Sequence, residues 1–133
     1  MDSFSQYCDF IFNSNGIEDE IVNMVNAVTT NKTDFFRESN HFEFLLQTAL
    51  PLLITNQKDD KRKTLMVWSA GCSSGEEPYT LSMVIAEFAE QFSGLMPIYS
   101  IIATDISTAV LDKAKKGIYE EEKIKPIPLS FRK

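Results

Sequence analysis

The segment that most constrains the fold runs from Leu65 to Gly117. A short apolar run, Leu65 to Trp68, leads into the small, turn-prone stretch Ala70 to Gly75. Glu76 to Phe92 then places Leu81, Val84, Ile85, Phe88, Ala89 and Phe92 on one helical stripe. Gly94 and Pro97 end that helix, and Ile98 to Ala103 is a second apolar run closed by Thr104 and Asp105. Ser107 can cap a further helix, Thr108 to Lys116, with Val110, Leu111 and Ala114 inward and Gly117 as its stop. Apolar strands alternating with helices predict an α/β fold opening a parallel, doubly wound sheet.

The preceding part is helical. Ser5 to Phe12 is rich in aromatics and suits a short helix, Asn13 to Gly16 a turn. From Glu18, the spacing Ile21, Met24/Val25, Val28 is that of an amphipathic helix with acidic residues in its first turn. Thr29 to Thr33 reads as extended linker or turn. Phe42, Leu45, Leu46, Ala49, Leu50 and Leu53 form another stripe, capped by Ser39 or Asn40 with Glu43 completing a capping box. Pro51 should kink or shorten that helix. Asn56 to Lys63 is a charged surface loop that marks a boundary before the sheet.

Ile118 to Lys133 is charged, contains Pro126 and Pro128, and shows no third strand. Two strands leave an apolar edge unpaired. The expectation is therefore a fragment, or a chain whose sheet a partner completes, with the fragment favoured. Among 133 residues, ten Phe, four Tyr and one Trp argue for a packed core and against disorder. The net charge of −6, from 13 basic and 19 acidic residues, argues against non-specific nucleic-acid binding. Cys8 and Cys72 are far apart and His41 is the sole histidine, so no metal site is expected. With no signal-peptide pattern and no apolar run of about 18 residues, a cytoplasmic protein without membrane insertion is expected.

Three places carry candidate chemistry. Gly71-Cys72-Ser73-Ser74-Gly75-Glu76-Glu77-Pro78 lies between strand and helix, where small residues let backbone approach a ligand. It fits neither the dinucleotide fingerprint nor the P-loop, and its two glutamates would repel phosphate. They suit a cationic or hydroxyl-bearing ligand, unless they only complement the helix dipole. Asp105 ends the second strand, where an acid accepts from ribose hydroxyls; it could instead cap the next helix. Thr29 to Glu38 is polar apart from Phe35 and Phe36, and its Arg37 could pair with a ligand carboxylate, although a plain anchored loop has the same composition. His41 reads as structural rather than as a catalytic base.

Together these segments resemble the CheR-type chemotaxis receptor methyltransferases. The matching motifs are T-T-N-K-T-D-F-F-R-E (Thr29–Glu38) with His41-Phe42, W-S-A-G-C-S-S-G-E-E-P-Y (Trp68–Tyr79) and A-T-D-I-S-T-A-V-L-D-K-A-K-K-G-I-Y (Ala103–Tyr119), in family order. The resemblance runs from about Gly16 to Lys133. It implies a partial Rossmann-like methyltransferase sheet over residues 29–133, preceded by a helical remnant over residues 1–28. It implies S-adenosyl-L-methionine (SAM) as cofactor, contacted by Asn31, Thr33, Arg37, Glu77 and Asp105, with Ala70 and Gly71 as backbone neighbours. In those roles Arg37 would neutralise the methionine carboxylate, Glu77 accept from its amino group and Asp105 hold the ribose.

The implied activity is γ-methyl esterification of glutamates on methyl-accepting chemotaxis receptors, in their cytoplasmic part. The implied acceptor glutamate is itself the nucleophile, so no catalytic base is expected. The later sheet, the later cofactor-contacting asparagines and the small receptor-docking β subdomain of the family have no counterpart here. Two other readings remain open: a non-enzymatic remnant or binding module, and a methyltransferase of the same fold with another substrate.

Overall fold

The computed structural model describes residues 3–13, 17–56, 64–92 and 98–132. Its helices and strands follow as α1 (Phe4–Asn13), α2 (Ile17–Val28), α3 (Ser39–Phe44), α4 (Leu50–Asn56), β1 (Thr64–Ala70), α5 (Glu76–Gln91), β2 (Ile98–Thr104), α6 (Thr108–Lys116) and α7 (Glu121–Ile124). A π-helical turn, Leu45–Ala49, joins α3 to α4, and Leu129–Phe131 forms a 3-10 turn. Most of the Asn13–Gly16 turn and of the Asn56–Lys63 loop, with Gly94 and Pro97, lies outside the described residues.

β1 and β2 pair in parallel from Thr64↔Ile98 to Ala70↔Thr104, and α5 is the crossover that parallel pairing requires. Among the described residues the sheet has two strands. The period of two along a strand decides which side chains are buried. Leu65 and Ser69 are buried and Val67 half-buried, facing the α5 side, while Met66 and Trp68 are each 70% exposed on the other face. The same alternation leaves Tyr99 and Ile101 half-buried and Ile98 and Ile102 exposed. The core is Leu50, Ile54, Leu65, Val84, Ile85 and Phe88, drawn from α4, β1 and α5. Helices thus cover one face of a parallel pair, an α/β arrangement whose second face is open among the described residues.

Four local expectations are corrected. The Phe42 stripe is interrupted by the π turn, where each bond spans one residue more than in an α-helix. The inward register therefore slips, so that Ile54 is 0% exposed and Leu53 is 49% exposed. Helix continues through Pro51, because the wider turn before it accommodates a residue that cannot donate to the preceding carbonyl. The capping box is replaced by a left-handed entry: Glu38 (φ 56°) is the N-cap residue of α3 and makes no side-chain cap bond. Phe36 sets that entry, since its ring packs on Phe42 and Phe131 while its amide donates to Thr80 Oγ1 (3.2 Å). Finally, α2 forms, but Val28 at its end is 71% exposed rather than inward.

Gly75 holds α5 against the end of α6. Its φ is +100°, and a Cβ there would lie 2.7 Å from Tyr119 Oη and 3.1 Å from Ala114 Cα. Gly71 also has positive φ (+74°), but a Cβ there would meet nothing within 4 Å. Gly71→Ala should therefore cost only backbone strain, about 1–2 kcal/mol. Gly75→Ala adds overpacking against a backbone atom and should cost about 3 kcal/mol. Urea denaturation midpoints of the two variants check this, and equal losses would remove the packing role given to Gly75.

Candidate functional site

The carboxyl ends of β1 and β2 open into a cleft of about 750 Å³. Parallel sheets place their ligand sites at that edge, where helix starts and strand ends converge. Asn31, Thr33 and Arg37 line one wall, Gly71 and Glu77 come from the β1–α5 turn and the first turn of α5, and Asp105 follows β2. Ala70, although adjacent in sequence, is not part of the lining: it is the last residue of β1 and is exposed.

The β1–α5 turn hangs on the end of β2. The amides of Gly71 and Cys72 both donate to the Thr104 carbonyl, at 2.8 and 2.9 Å. Ser73 takes a left-handed conformation (φ 49°), which costs a non-glycine residue roughly 1–3 kcal/mol. Two hydrogen bonds offset that strain: its amide donates to Asp105 Oδ2 (2.8 Å) and its hydroxyl to the Asn31 carbonyl (3.0 Å). One buried serine thereby joins the polar N-terminal loop, the small-residue turn and the β2 end. Asp105 Oδ1 accepts from the Ser107 amide (2.9 Å), so this carboxylate also organises the start of α6, as its alternative reading required.

The paired glutamates have separate environments. Glu76 is buried, with Oε2 accepting from Ser74 Oγ (2.7 Å) at the positive end of α5. Glu77 is exposed in the cleft, and its Oε1 accepts from Ser69 Oγ (2.7 Å). Opposite, Arg37 Nη1 donates to the Lys32 carbonyl (3.0 Å), which fixes the guanidinium by one edge of its donor fork. Asn31 Nδ2 is engaged with Thr29, and the Thr33 carbonyl accepts from Lys123 Nζ (3.2 Å). His41 lines the cleft and is exposed, with Nδ1 3.2 Å from Glu38 Oε2.

Burial, reinforced by the negative charge of Asp105, pushes the Cys72 thiol above its ordinary value, so the cysteine under the turn is a small packing residue. Burial also raises the Tyr119 phenol, which donates to the Ser74 carbonyl (2.7 Å) and packs edge-on against Phe35 and Tyr79. The sequence pattern gave no individual site role to Ser73, Trp68, Leu81 or Ile106, all of which line the cleft. Two of these carried a signal. Ser73 sits midway between two glycines at a strand end, and Ile106 directly follows the strand-closing acid.

A strand, a glycine-bearing turn, a helix and a second parallel strand closed by an acid define a Rossmann-like α/β domain. Residues 31–133 match the family described as "CheR methyltransferase, SAM binding domain". The chain is 40% identical over 126 residues to the chemotaxis protein methyltransferase of Borreliella burgdorferi, an alignment covering 95% of this chain and 44% of that one. It is 44% identical over 96 residues to chemotaxis protein methyltransferase 1 of Vibrio cholerae (72% and 33% covered). To chemotaxis protein methyltransferase 2 of Pseudomonas aeruginosa it is 39% identical over 109 residues (82% and 36% covered). The chain belongs to the CheR methyltransferase family, in the domain for which SAM is the methyl donor. It spans less than half the length of each of these relatives.

The residues present fit that cofactor's chemistry. A cation (Arg37) and two carboxylates (Glu77, Asp105) line one cleft beside an open-backed glycine, and each carboxylate oxygen retains lone pairs beyond its protein contact. The wall carrying Arg37 is itself latched from outside. Lys123 Nζ of α7 donates to Asp34 Oδ1 (3.0 Å), and this bond holds the Asp34 carboxyl below the usual aspartate range. A carboxyl lowered by folding stabilises the fold above the unfolded-state value, and that contribution disappears as pH falls through the lowered value. Lys123→Met should return the Asp34 titration, followed by NMR, to the ordinary aspartate range; an unchanged titration would mean the latch does not persist in solution.

Proposed function

We propose that the cleft binds SAM and that the chain serves the methylation of glutamate side chains on chemotaxis receptors. The observation that carries this reading is the charge set of the cleft: Arg37, Glu77 and Asp105 facing one space with Gly71 at its back. Arg37 would pair with the carboxylate of the methionine portion, Glu77 would accept from its ammonium, and Asp105 would accept from the ribose hydroxyls. Asn31 and Thr33 complete the wall beside Arg37, and Gly71 admits the ligand close to backbone. An acidic turn suits this ligand where it would repel a phosphate.

The cofactor supplies a methyl group on a positively charged sulfur. An ionised glutamate is sufficient as the acceptor, so the work of the site is alignment and exclusion of water rather than proton transfer. The named relatives are chemotaxis proteins, which supports receptors as the methyl-accepting partner and the cytoplasm as the place of action. Among the described residues no helix is long and apolar enough to cross a membrane. The exposed sheet face carrying Met66, Trp68, Ile98 and Ile102 supports reading the chain as the leading part of such an enzyme, with residues 1–28 as the end of a preceding helical unit.

Calorimetry with S-adenosylhomocysteine tests the cofactor reading: micromolar affinity is expected, weakened about tenfold or more in Arg37→Ala through loss of a charge-assisted pairing. Affinity unchanged in both Arg37→Ala and Glu77→Gln would refute these roles. A labelled-methyl assay on receptor membranes tests the leading-part reading. The chain alone should transfer far less than a full-length relative, and comparable turnover would overturn that reading.

A further inference from the structure

Ser107 is the N-cap residue of α6, yet its hydroxyl does not cap the helix. That hydroxyl instead donates to Oδ1 of Asn26 (2.7 Å), on helix α2. The same Oδ1 accepts the amide of Ala109 (3.4 Å), and Asn26 Nδ2 donates to Thr108 Oγ1 (3.3 Å). A free amide in the first turn of α6 is thus satisfied by a side chain 83 residues away in sequence. Ser107 is 0% exposed, and its own amide is the one that donates to Asp105 Oδ1. Asn26 therefore grips the residue that fixes one oxygen of Asp105, while Ser73 fixes the other.

We infer that Asn26 is a positioning residue for the cofactor site, acting through Ser107 on the orientation of Asp105. The inference rests on Asp105 holding the ligand, as proposed above. It makes α2 part of the site's support: the helix holds Asp105 in place without touching the cleft. Asn26 itself is not among the cleft lining. It could therefore change ligand affinity only through the β2–α6 connection.

The test compares the whole chain with Asn26→Ala and Asn26→Asp, the second keeping an oxygen acceptor for Ser107 and Ala109. Asn23→Ala, an exposed asparagine of the same helix bonded to Glu20, is the control. Two readouts are taken: the affinity for S-adenosylhomocysteine and hydrogen exchange at the Ser107 and Ala109 amides without ligand. Asn26→Ala should weaken binding and speed exchange at both amides by about five- to tenfold, the size of losing one helix cap. Asn26→Asp should recover most of both, and Asn23→Ala should change neither. Wild-type affinity in Asn26→Ala overturns the inference. If the unaltered chain does not bind, the cofactor reading falls, and exchange decides the rest: unchanged rates at Ser107 and Ala109 overturn the positioning role as well.

Discussion

The site depends on Ser73 being held where a serine does not readily go. Its left-handed backbone turns the amide toward Asp105 and the hydroxyl toward the Asn31 carbonyl. Three stretches of sequence that share no secondary-structure element meet at this residue. Each contact also stabilises another: Asp105 is held by Ser73 and Ser107, and Asn31 is drawn onto the turn that exposes Gly71. A bond to a carboxylate is worth roughly 1.5–3 kcal/mol, enough to outweigh much of the strain.

Around that point the fold separates two jobs. Packing beneath the sheet, by Leu65, Val84, Ile85 and Phe88, sets the height of the strand ends and the start of α5. Polar contacts above it set the walls, and they come from outside the strand–turn–helix unit: Lys123 latches the Asp34 loop, Tyr119 holds Ser74, and Asn26 holds Ser107. Charges follow the same division. Glu76 is enclosed at the helix start, whereas the adjacent Glu77 stands in the cleft opposite the Arg37 wall.

Most of the fold was legible because strand and helix periods differ so strongly between Leu65 and Gly117. Both strands and the Gly117 stop stand where the pattern puts them, as does the α5 stripe except for Phe92, which follows the end of the helix and is 40% exposed. What escaped was non-local. No pattern announces that a π turn before Pro51 will trade Leu53 for Ile54, nor that Asn26 will cap a helix far along the chain. The family resemblance implied Arg37, Glu77 and Asp105 as ligands, and the cleft brings them together, yet Ala70, implied with them, lies outside it. The difference between Gly71 and Ala70 is one of backbone direction at a strand end, which composition does not carry.

The proposed cofactor site is this cleft at the carboxyl ends of β1 and β2. A second, mainly apolar cavity lies between α5, β2 and α6, bounded by Tyr79, Tyr99, Leu111 and Ala114. Heteronuclear NMR of the labelled chain, titrated with S-adenosylhomocysteine, separates the two most directly. The account predicts saturable amide shifts concentrated at Asn31, Gly71, Ser73, Glu77 and Asp105. Shifts confined to Tyr99, Leu111 and Ala114, or none at millimolar ligand, would contradict it.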